Sequence, residues 1–302
     1  MRVGGSTVEE LSDNFKKLHN NIPQSQTICK LNGNKTCIPE KIFDNINKKI
    51  NNSPLSSHKN LIIKKLSEDC GCDKEKSQDK KELCIIKNID KEIIDKKQKD
   101  CIIYKFFKPV GSHNGNDWLN NTHVDVIQEQ LYQLYSRYEY GFIHMIDNVM
   151  ITPENISCIN HPIKSIIEID FVDVINNNKM DYYGVVYNTD PSHRLGQHWF
   201  SILFNFTTEG TKDDPYLIEY FNSSGLNISN IEFKEFLEKL SLEISYETKK
   251  EIRFKKVTHI QHQNSTTGNC GIYALYYIWA RLNNTSLEYF NDPKNKITDK
   301  LM

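Results

Sequence analysis

The sequence predicts an α+β fold, and three of its patterns support that prediction. Between residues 141 and 260, short apolar segments of strand length alternate with polar turns. Amphipathic stripes with the spacing of a helix precede, interrupt and follow these segments. Near the C-terminal end, Ile272–Ala280 is apolar on nearly every face, which predicts a buried helix. Strands flanked by helices in one stretch of chain are typical of an α+β domain.

The predicted elements follow one another through the second two-thirds of the chain. We expect strands at Cys101–Phe107, Gly141–Val149, Ile166–Val174, Tyr182–Tyr187, Gln197–Phe206, Tyr216–Phe221 and Glu251–Ile260. Two amphipathic helices are predicted from the apolar stripes Val124, Ile127, Leu131, Leu134 and Phe233, Phe236, Leu237, Leu240.

Composition divides the chain of 302 residues, 38% of them hydrophobic, into three parts. Residues 1–25 are polar and aperiodic, which predicts a mobile arm. Residues 26–100 contain two short amphipathic stripes, ending at Ile50 and Leu66, and then a charged segment that we interpret as a solvated face or loop. We therefore expect a small, mostly helical accessory domain at 26–100 and a second domain at 101–302.

Charge and hydropathy exclude some classes of partner. The formal net charge is −1, so no overall field attracts nucleic acid or a membrane, although the Lys-rich N-terminal third leaves nucleic-acid binding open. No apolar run approaches the length of a membrane span, and Met1–Phe15 lacks the apolar core of a secretory leader, so we expect no membrane partner. A cytosolic or virion setting fits this pattern best.

Eight cysteines occur in the chain, and we expect reduced thiols. Five of them lie in the N-terminal third: Cys29, Cys37, Cys70, Cys72 and Cys84. A zinc site there is the alternative to free thiols, but Cys70-Gly71-Cys72 is tighter than a Cys-x-x-Cys knuckle and no paired His follows. We therefore expect neither a metal nor another cofactor.

Cys270 is the candidate nucleophile. The polar loop Gln263–Asn269 delivers it to the first turn of the predicted buried helix. Unpaired N–H groups and the positive end of the dipole at a helix N-terminus favour thiolate over thiol. A cysteine hydrolase also needs a base, a group that orients the base, and donors for the oxyanion.

Three further residues have the chemistry that such a hydrolase requires. His198 is the candidate base at a strand start, although a lone His-Trp is ordinarily structural. Asn222, at a strand end, could accept the imidazole Nδ1–H, and otherwise is a turn residue. Gln263 could donate to the oxyanion beside the Cys270 N–H, and otherwise is an ordinary loop residue. Their order along the chain, each at the end of an element, favours the catalytic interpretation of all four.

This order, together with several short motifs, resembles one peptidase family. Papain-like enzymes run Cys, His, Asn, whereas here the Cys comes last. The order His, Asn, Gln, Cys, with Trp-Leu-Asn, His-Trp and Asn-Cys-Gly, resembles the Ulp1/adenain-type (clan CE) cysteine peptidases. The resemblance is closest to the branch that contains the African swine fever virus polyprotein protease. The segments that carry it are Tyr187–Asp190, Gly196–Trp199, Glu219–Gly225 and Ala280–Ser286, within roughly residues 117 to 286.

The resemblance implies a central mixed sheet flanked by helices, with 101–302 as the catalytic domain. The residues that match the family's catalytic set are His198, Asn222 and Cys270 as triad and Gln263 as oxyanion donor. Gln261 remains an alternative donor, because the interval from Gln to Cys varies among relatives. Asn269 departs from the Asp that commonly precedes the nucleophile.

The resemblance also places Trp118, Trp199 and Gly271 at the substrate. In relatives that act on SUMO, two tryptophans clamp a narrow tunnel, which admits only residues without side chains. This implies cleavage after Gly-Gly or Gly-Ala-like sequences. The alternative is that both tryptophans are core residues.

Three functions follow from these expectations. The first is an endopeptidase that matures viral structural polyproteins, in the virion and the host cytoplasm. The second is a deconjugase that removes ubiquitin, SUMO or NEDD8 from host proteins through the same Gly-Gly tunnel. The third is a non-catalytic module that binds a Gly-Gly tail.

Overall fold

The computed structural model describes residues 36–38, 42–45, 59–76, 78–107, 119, 121–151, 165–194 and 196–299. The described residues fall into two compact units. The described residues between 36 and 107 belong to a helical unit, and the described residues from 119 onward to a sheet unit. The predicted mobile arm at 1–25 lies outside the described residues.

The described part of the helical unit contains a helical segment at 42–45 and the helices α1 (Lys59–Asp69), α2 (Gln78–Asn88) and α3 (Lys96–Phe106). Their apolar faces form a small core with the residues around Phe43. The strand predicted at Cys101–Phe107 is wrong up to Phe106, because Asp95 and Gln98 form a capping box that starts α3. The charged segment after Ser67 includes the amphipathic helix α2, which buries Ile85 and Ile86 and exposes Lys80 and Lys87. Of the two interpretations of this segment, a solvated face or a loop, the solvated face is therefore the correct alternative there.

Disulfides correct the expectation of reduced thiols. The α1–α2 turn brings Cys72 and Cys84 to a Cα–Cα distance of 5.8 Å, and the two form a disulfide. Cys37 and Cys101 are also disulfide-bonded. Among the residues that the structure describes, the free cysteines are Cys70 and Cys270.

The sheet unit is built on a mixed sheet with the order β1-β3-β4-β5-β6, in which β2 also pairs with β3. The strands are β1 (Tyr138–Tyr140), β2 (His144–Met145), β3 (Tyr182–Asn188), β4 (Trp199–Asn205), β5 (Tyr216–Phe221) and β6 (Ile252–Lys256). The helices are α4 (Asn121–Leu134), α5 (Phe171–Asn176), α6 (Ile231–Thr248), α7 (Cys270–Leu282) and α8 (Leu287–Asn291), followed by a 3₁₀ turn (Pro293–Asn295). The pairs β3–β4 and β4–β5 are antiparallel, and the other pairs are parallel.

The predicted α+β class and the N-terminal helical region are confirmed. Strand β5 has the predicted bounds, and β3, β4, β6 and α7 lie within one to four residues of theirs. The strand predicted at Ile166–Val174 is wrong, because Asp170 accepts from the Asp173 N–H and caps α5. Of the strand predicted at Gly141–Val149, only β2 forms. No helix among the described residues is long and apolar enough to cross a membrane.

A buried ion pair joins α7 to the centre of the sheet. Glu219 on β5 is fully buried, and Arg281 on α7 reaches it with Nη2–Oε1 and Nε–Oε2 distances of 2.7 and 2.9 Å. The Tyr277 hydroxyl donates to the same carboxylate, and the Asn205 amide does so at 3.0 Å. A buried carboxylate needs such partners, because it has lost its hydration.

We expect Arg281→Ala to lower the free energy of unfolding by about 3–5 kcal/mol, because it leaves the Glu219 charge buried and unpaired. Urea unfolding followed by circular dichroism measures the change. The matched control is Lys234→Ala, which removes the exposed α6 pair with Glu238 and should cost about 1 kcal/mol or less. Equal effects of the two substitutions would contradict the role of the buried pair.

Candidate active site

The four residues nominated for catalysis lie around one cavity of about 490 Å³. Strands β4 and β5 are antiparallel neighbours with Ser201 opposite Phe221, so the start of β4 lies beside the end of β5. His198 immediately precedes β4 and Asn222 immediately follows β5. The loop before α7 adds Gln263, and the first residue of α7 adds Cys270. The structure therefore brings together the residues that the sequence separates by up to 72 positions.

His198 is hydrogen-bonded to Asn222, with 2.8 Å between Nε2 and Oδ1. The same Oδ1 accepts from the Ser224 backbone N–H at 2.9 Å, which identifies it as the oxygen of the carboxamide. His198 must therefore donate through Nε2–H, and Nδ1 is the nitrogen that remains to accept a proton. This corrects the expectation that Asn222 would accept from Nδ1.

Tyr220 of β5 and Ser224 of the turn after it hold the Asn222 side chain in place. Its Nδ2 donates to the Tyr220 hydroxyl at 2.9 Å, while Oδ1 accepts from both the backbone and the hydroxyl of Ser224. Gly225 closes the turn with φ +70°, and a Cβ there would lie 2.8 Å from the His259 carbonyl oxygen. Asn222 thus combines the turn role with the orienting role, which the sequence presented as alternatives.

Cys270 is the first residue of α7, lines the cavity and is 1% exposed. Burial raises the pKa of its thiol, whereas the backbone N–H groups of Trp199, Gly271 and Cys270 itself hydrogen-bond the sulfur and lower that pKa. Burial also lowers the pKa of His198, and the bond to Asn222 opposes that effect. Burial therefore favours a neutral imidazole, which is the form that can accept the thiol proton.

Gln263 is held in one orientation. Its Nε2 donates to the Thr267 carbonyl oxygen at 2.6 Å, and its Oε1 accepts from the Ser223 hydroxyl at 2.8 Å. A carbonyl oxygen only accepts, so the amide nitrogen is assigned without ambiguity. Gln261 also lines the cavity, but its amide donates to the Gln263 backbone carbonyl at 3.1 Å. Gln261 thus supports the position of Gln263.

The residues nominated for substrate binding are only partly described. Trp118 lies outside the described residues. Trp199 is 5% exposed, and its Cδ1 is 3.3 Å from the place that a Cβ on Gly271 would occupy. Leu119 also faces Gly271, at 3.2 Å from the same place, so the glycine lets α7 pack closely against β4. The substrate roles of these residues stay predictions.

Sequence reasoning missed the residues that support the site. Ser223, Ser224 and Tyr220 act through hydrogen bonds to Asn222 or Gln263, and Asp299 through bonds to the loop before Cys270. The Asn-Ser-Ser-Gly turn signal contained the first two. Asp299 stands among polar residues without a motif, and the sequence carried no signal for it.

We expect His198→Ala to raise the apparent pKa for alkylation of Cys270 by about one unit or more, because the thiolate loses its imidazolium partner. Iodoacetamide labelling across pH, read by mass spectrometry of the Cys270 peptide, measures the shift. A Cys70→Ser background removes the other free thiol of the described residues. The matched control is His193→Ala at an exposed histidine nearby in the chain, and equal profiles for all three proteins would contradict the pairing.

The chain is similar in sequence and in fold to known cysteine proteases. No protein-family model matches the chain. It is 33% identical over 149 residues to a SUMO-1 cysteine protease of African swine fever virus (isolate Pig/Kenya/KEN-50/1950), covering 45% of this chain and 50% of the relative. It is 28% identical over 210 residues to a cysteine protease of the isolate Tick/Malawi/Lil 20-1/1983, covering 65% and 68%.

The chain spans about half the length of most of these curated relatives. The likeness of the folds extends further. The crystal structure of the African swine fever virus pS273R protease superposes with a TM-score of 0.59 at 22% identity, over 93% of this chain and 94% of that chain. A selenomethionine form of the same protease gives 0.58 at 23% identity. The chain therefore has the fold of the African swine fever virus pS273R protease and is similar in sequence to cysteine proteases of that virus.

Proposed function

We propose that the protein is a cysteine endopeptidase that cleaves viral structural proteins after Gly-Gly or Gly-Ala-like sequences. The observation that carries the proposal is the single cavity lined by His198, Asn222, Gln263 and Cys270. The fixed hydrogen bond between His198 and Asn222 supports a base with a defined tautomer. The curated relatives are viral proteins named cysteine proteases, which supports the same activity.

In the first chemical step, His198 Nδ1 takes the thiol proton and Cys270 Sγ attacks the carbonyl carbon of the scissile bond. The electron pair of the carbonyl moves to its oxygen. The Cys270 N–H and the Gln263 amide hydrogen that is not committed to Thr267 would stabilise this oxyanion. Asn222 stabilises the imidazolium by accepting Nε2–H.

The second step releases the products. The tetrahedral intermediate collapses, the C–N bond breaks, and His198 gives its proton to the leaving amine. A water molecule, deprotonated by His198, then attacks the thioester that joins the substrate to Cys270. This breaks the C–S bond and restores the thiol. Every proton in the cycle passes through His198.

Three variants test the assignment of roles with a Gly-Gly peptide as substrate. We expect Cys270→Ala to abolish cleavage and Gln263→Ala to lower kcat by roughly 10²–10³-fold, because one oxyanion donor is lost. Gln261→Ala is the matched control, since it keeps the proposed donor and should have a smaller effect. A larger loss for Gln261→Ala than for Gln263→Ala would reverse the assignment of the oxyanion donor.

Substrate choice is tested with peptides that differ only before the scissile bond. A peptide with Gly-Gly should be cleaved, and its Ala-Ala counterpart should lose most of its kcat/KM, because methyl groups do not fit between flat indoles. Trp199→Ala should reduce the ratio of kcat/KM for the Gly-Gly peptide to kcat/KM for the Ala-Ala peptide. Equal cleavage of both peptides would contradict the glycine specificity.

Deconjugation of a ubiquitin-like modifier is the second candidate, and the name of several relatives, SUMO-1 cysteine protease, favours testing it. SUMO, ubiquitin and NEDD8 fusions should be incubated beside viral core proteins with Gly-Gly sites. We expect faster cleavage of the viral proteins. Release of a modifier without viral cleavage would favour the deconjugase. Binding of the tails without cleavage of either set would favour the non-catalytic module.

A further inference from the structure

We propose that Asp299 is a positioning residue for the nucleophile, and this inference rests on the peptidase function proposed above. Asp299 belongs to the segment after α8, far in sequence from the triad. Its carboxylate nevertheless binds the loop that connects Gln263 to Cys270. The C-terminal segment is thereby part of the active-site framework.

Three hydrogen bonds connect the carboxylate to this loop. Oδ2 accepts from the Asn264 backbone N–H at 2.8 Å. Oδ1 accepts from the Thr267 hydroxyl at 3.1 Å and from the Asn269 Nδ2 at 3.2 Å. One side chain therefore fixes the start, the middle and the end of the loop. Because the Thr267 carbonyl also accepts from the Gln263 amide, the proposed oxyanion donor depends on the same anchor.

The bond to Asn269 has a specific consequence for Cys270. Asn269 is the N-cap residue of α7, and an N-cap Asn ordinarily accepts a hydrogen bond from a backbone N–H of the first turn. Here its side chain makes no such cap bond. Asp299 instead accepts a hydrogen bond from the carboxamide nitrogen, so the carboxamide does not cap the helix. Hydrogen bonds from the backbone N–H groups of Cys270 and Gly271 lower the pKa of the Cys270 thiol.

A second set of contacts keeps Asp299 in place. The fully buried Ile297 donates its N–H to His262 Nδ1 at 3.2 Å, and His262 Nε2–H donates to the Phe290 carbonyl oxygen at 3.0 Å. The Tyr273 hydroxyl on α7 lies 3.3 Å from the Ile297 carbonyl oxygen. The segment is thus attached both to α7 and to the residue before Gln263. These contacts of Ile297 with His262 and Tyr273 hold the segment that carries Asp299 next to the loop.

Loss of Asp299 should therefore affect catalysis more than binding. The loop would lose its three bonds, and Asn269 would be released to cap α7 in competition with the sulfur for the first-turn N–H groups. We expect Asp299→Ala to lower kcat by between roughly tenfold and a hundredfold, with KM changed much less. We also expect a higher apparent pKa for alkylation of Cys270, because fewer donors face the thiolate.

A charge exchange between residues 269 and 299 tests the pairing directly. Asn269→Asp alone places two carboxylates at the 3.2 Å contact and should lower kcat. Asn269→Asp combined with Asp299→Asn restores one donor, now at residue 299, and one acceptor, now at residue 269. The double variant should therefore recover most of the kcat that Asn269→Asp alone loses. A merely structural contribution of Asp299 would make the two substitutions additive.

The matched control is Asp292→Ala. It removes the cap of the 3₁₀ turn in the same C-terminal segment but no contact to the loop. Cleavage by wild type and its loss in Cys270→Ala establish the peptidase first, so a wild-type protein without activity would refute the proposed function. Two results would refute the positioning role in an active wild-type enzyme. The first is that Asp299→Ala has the same kcat and the same alkylation pKa of Cys270 as wild type or as Asp292→Ala. The second is that Asn269→Asp combined with Asp299→Asn recovers none of the kcat lost in Asn269→Asp.

Discussion

The buried ion pair between Glu219 and Arg281 is the constraint on which the placement of the active site depends. It links β5, which ends one residue before Asn222, to α7, which begins at Cys270. A buried carboxylate and guanidinium satisfy each other only in one register, so a slide of the helix along the sheet would break both hydrogen bonds. The stacking of Phe221 on Tyr277, with ring centroids 4.5 Å apart, fills the same contact with apolar surface.

Backbone groups with only one hydrogen-bonding role determine how the side chains of the site are oriented. The Ser224 N–H can only donate, so it selects the oxygen of Asn222 and, through it, the tautomer of His198. The Thr267 carbonyl can only accept, so it selects the nitrogen of Gln263. Main-chain groups thus determine the amide orientations of Asn222 and Gln263 and the tautomer of His198. The packing of α7 on the sheet holds those main-chain groups in place.

The site also shows why its members are dispersed along the chain. Antiparallel pairing brings the start of β4 beside the end of β5, and a long return through α6 and β6 delivers the loop before α7. The two strands contribute one functional residue each, and the loop with the start of α7 contributes Gln263 and Cys270, all at element ends where a side chain can face a cavity. The C-terminal segment is connected to the site through Asp299, which accepts hydrogen bonds from three residues of the loop before α7.

The sequence by itself determined the α+β class, the bounds of β5 to the residue, and the four side chains that meet in the cavity. Local patterns carry the fold class and the strand bounds, because strand alternation, helix stripes and turn residues act over a few positions. The four side chains were identified by their order along the chain and by the motifs of the peptidase family that the sequence resembles. Tertiary structure alone decided that Cys72 pairs with Cys84, that His198 uses Nε2, and that Asp299 reaches the nucleophile loop. Each depends on the distance between groups, and long-range packing sets that distance.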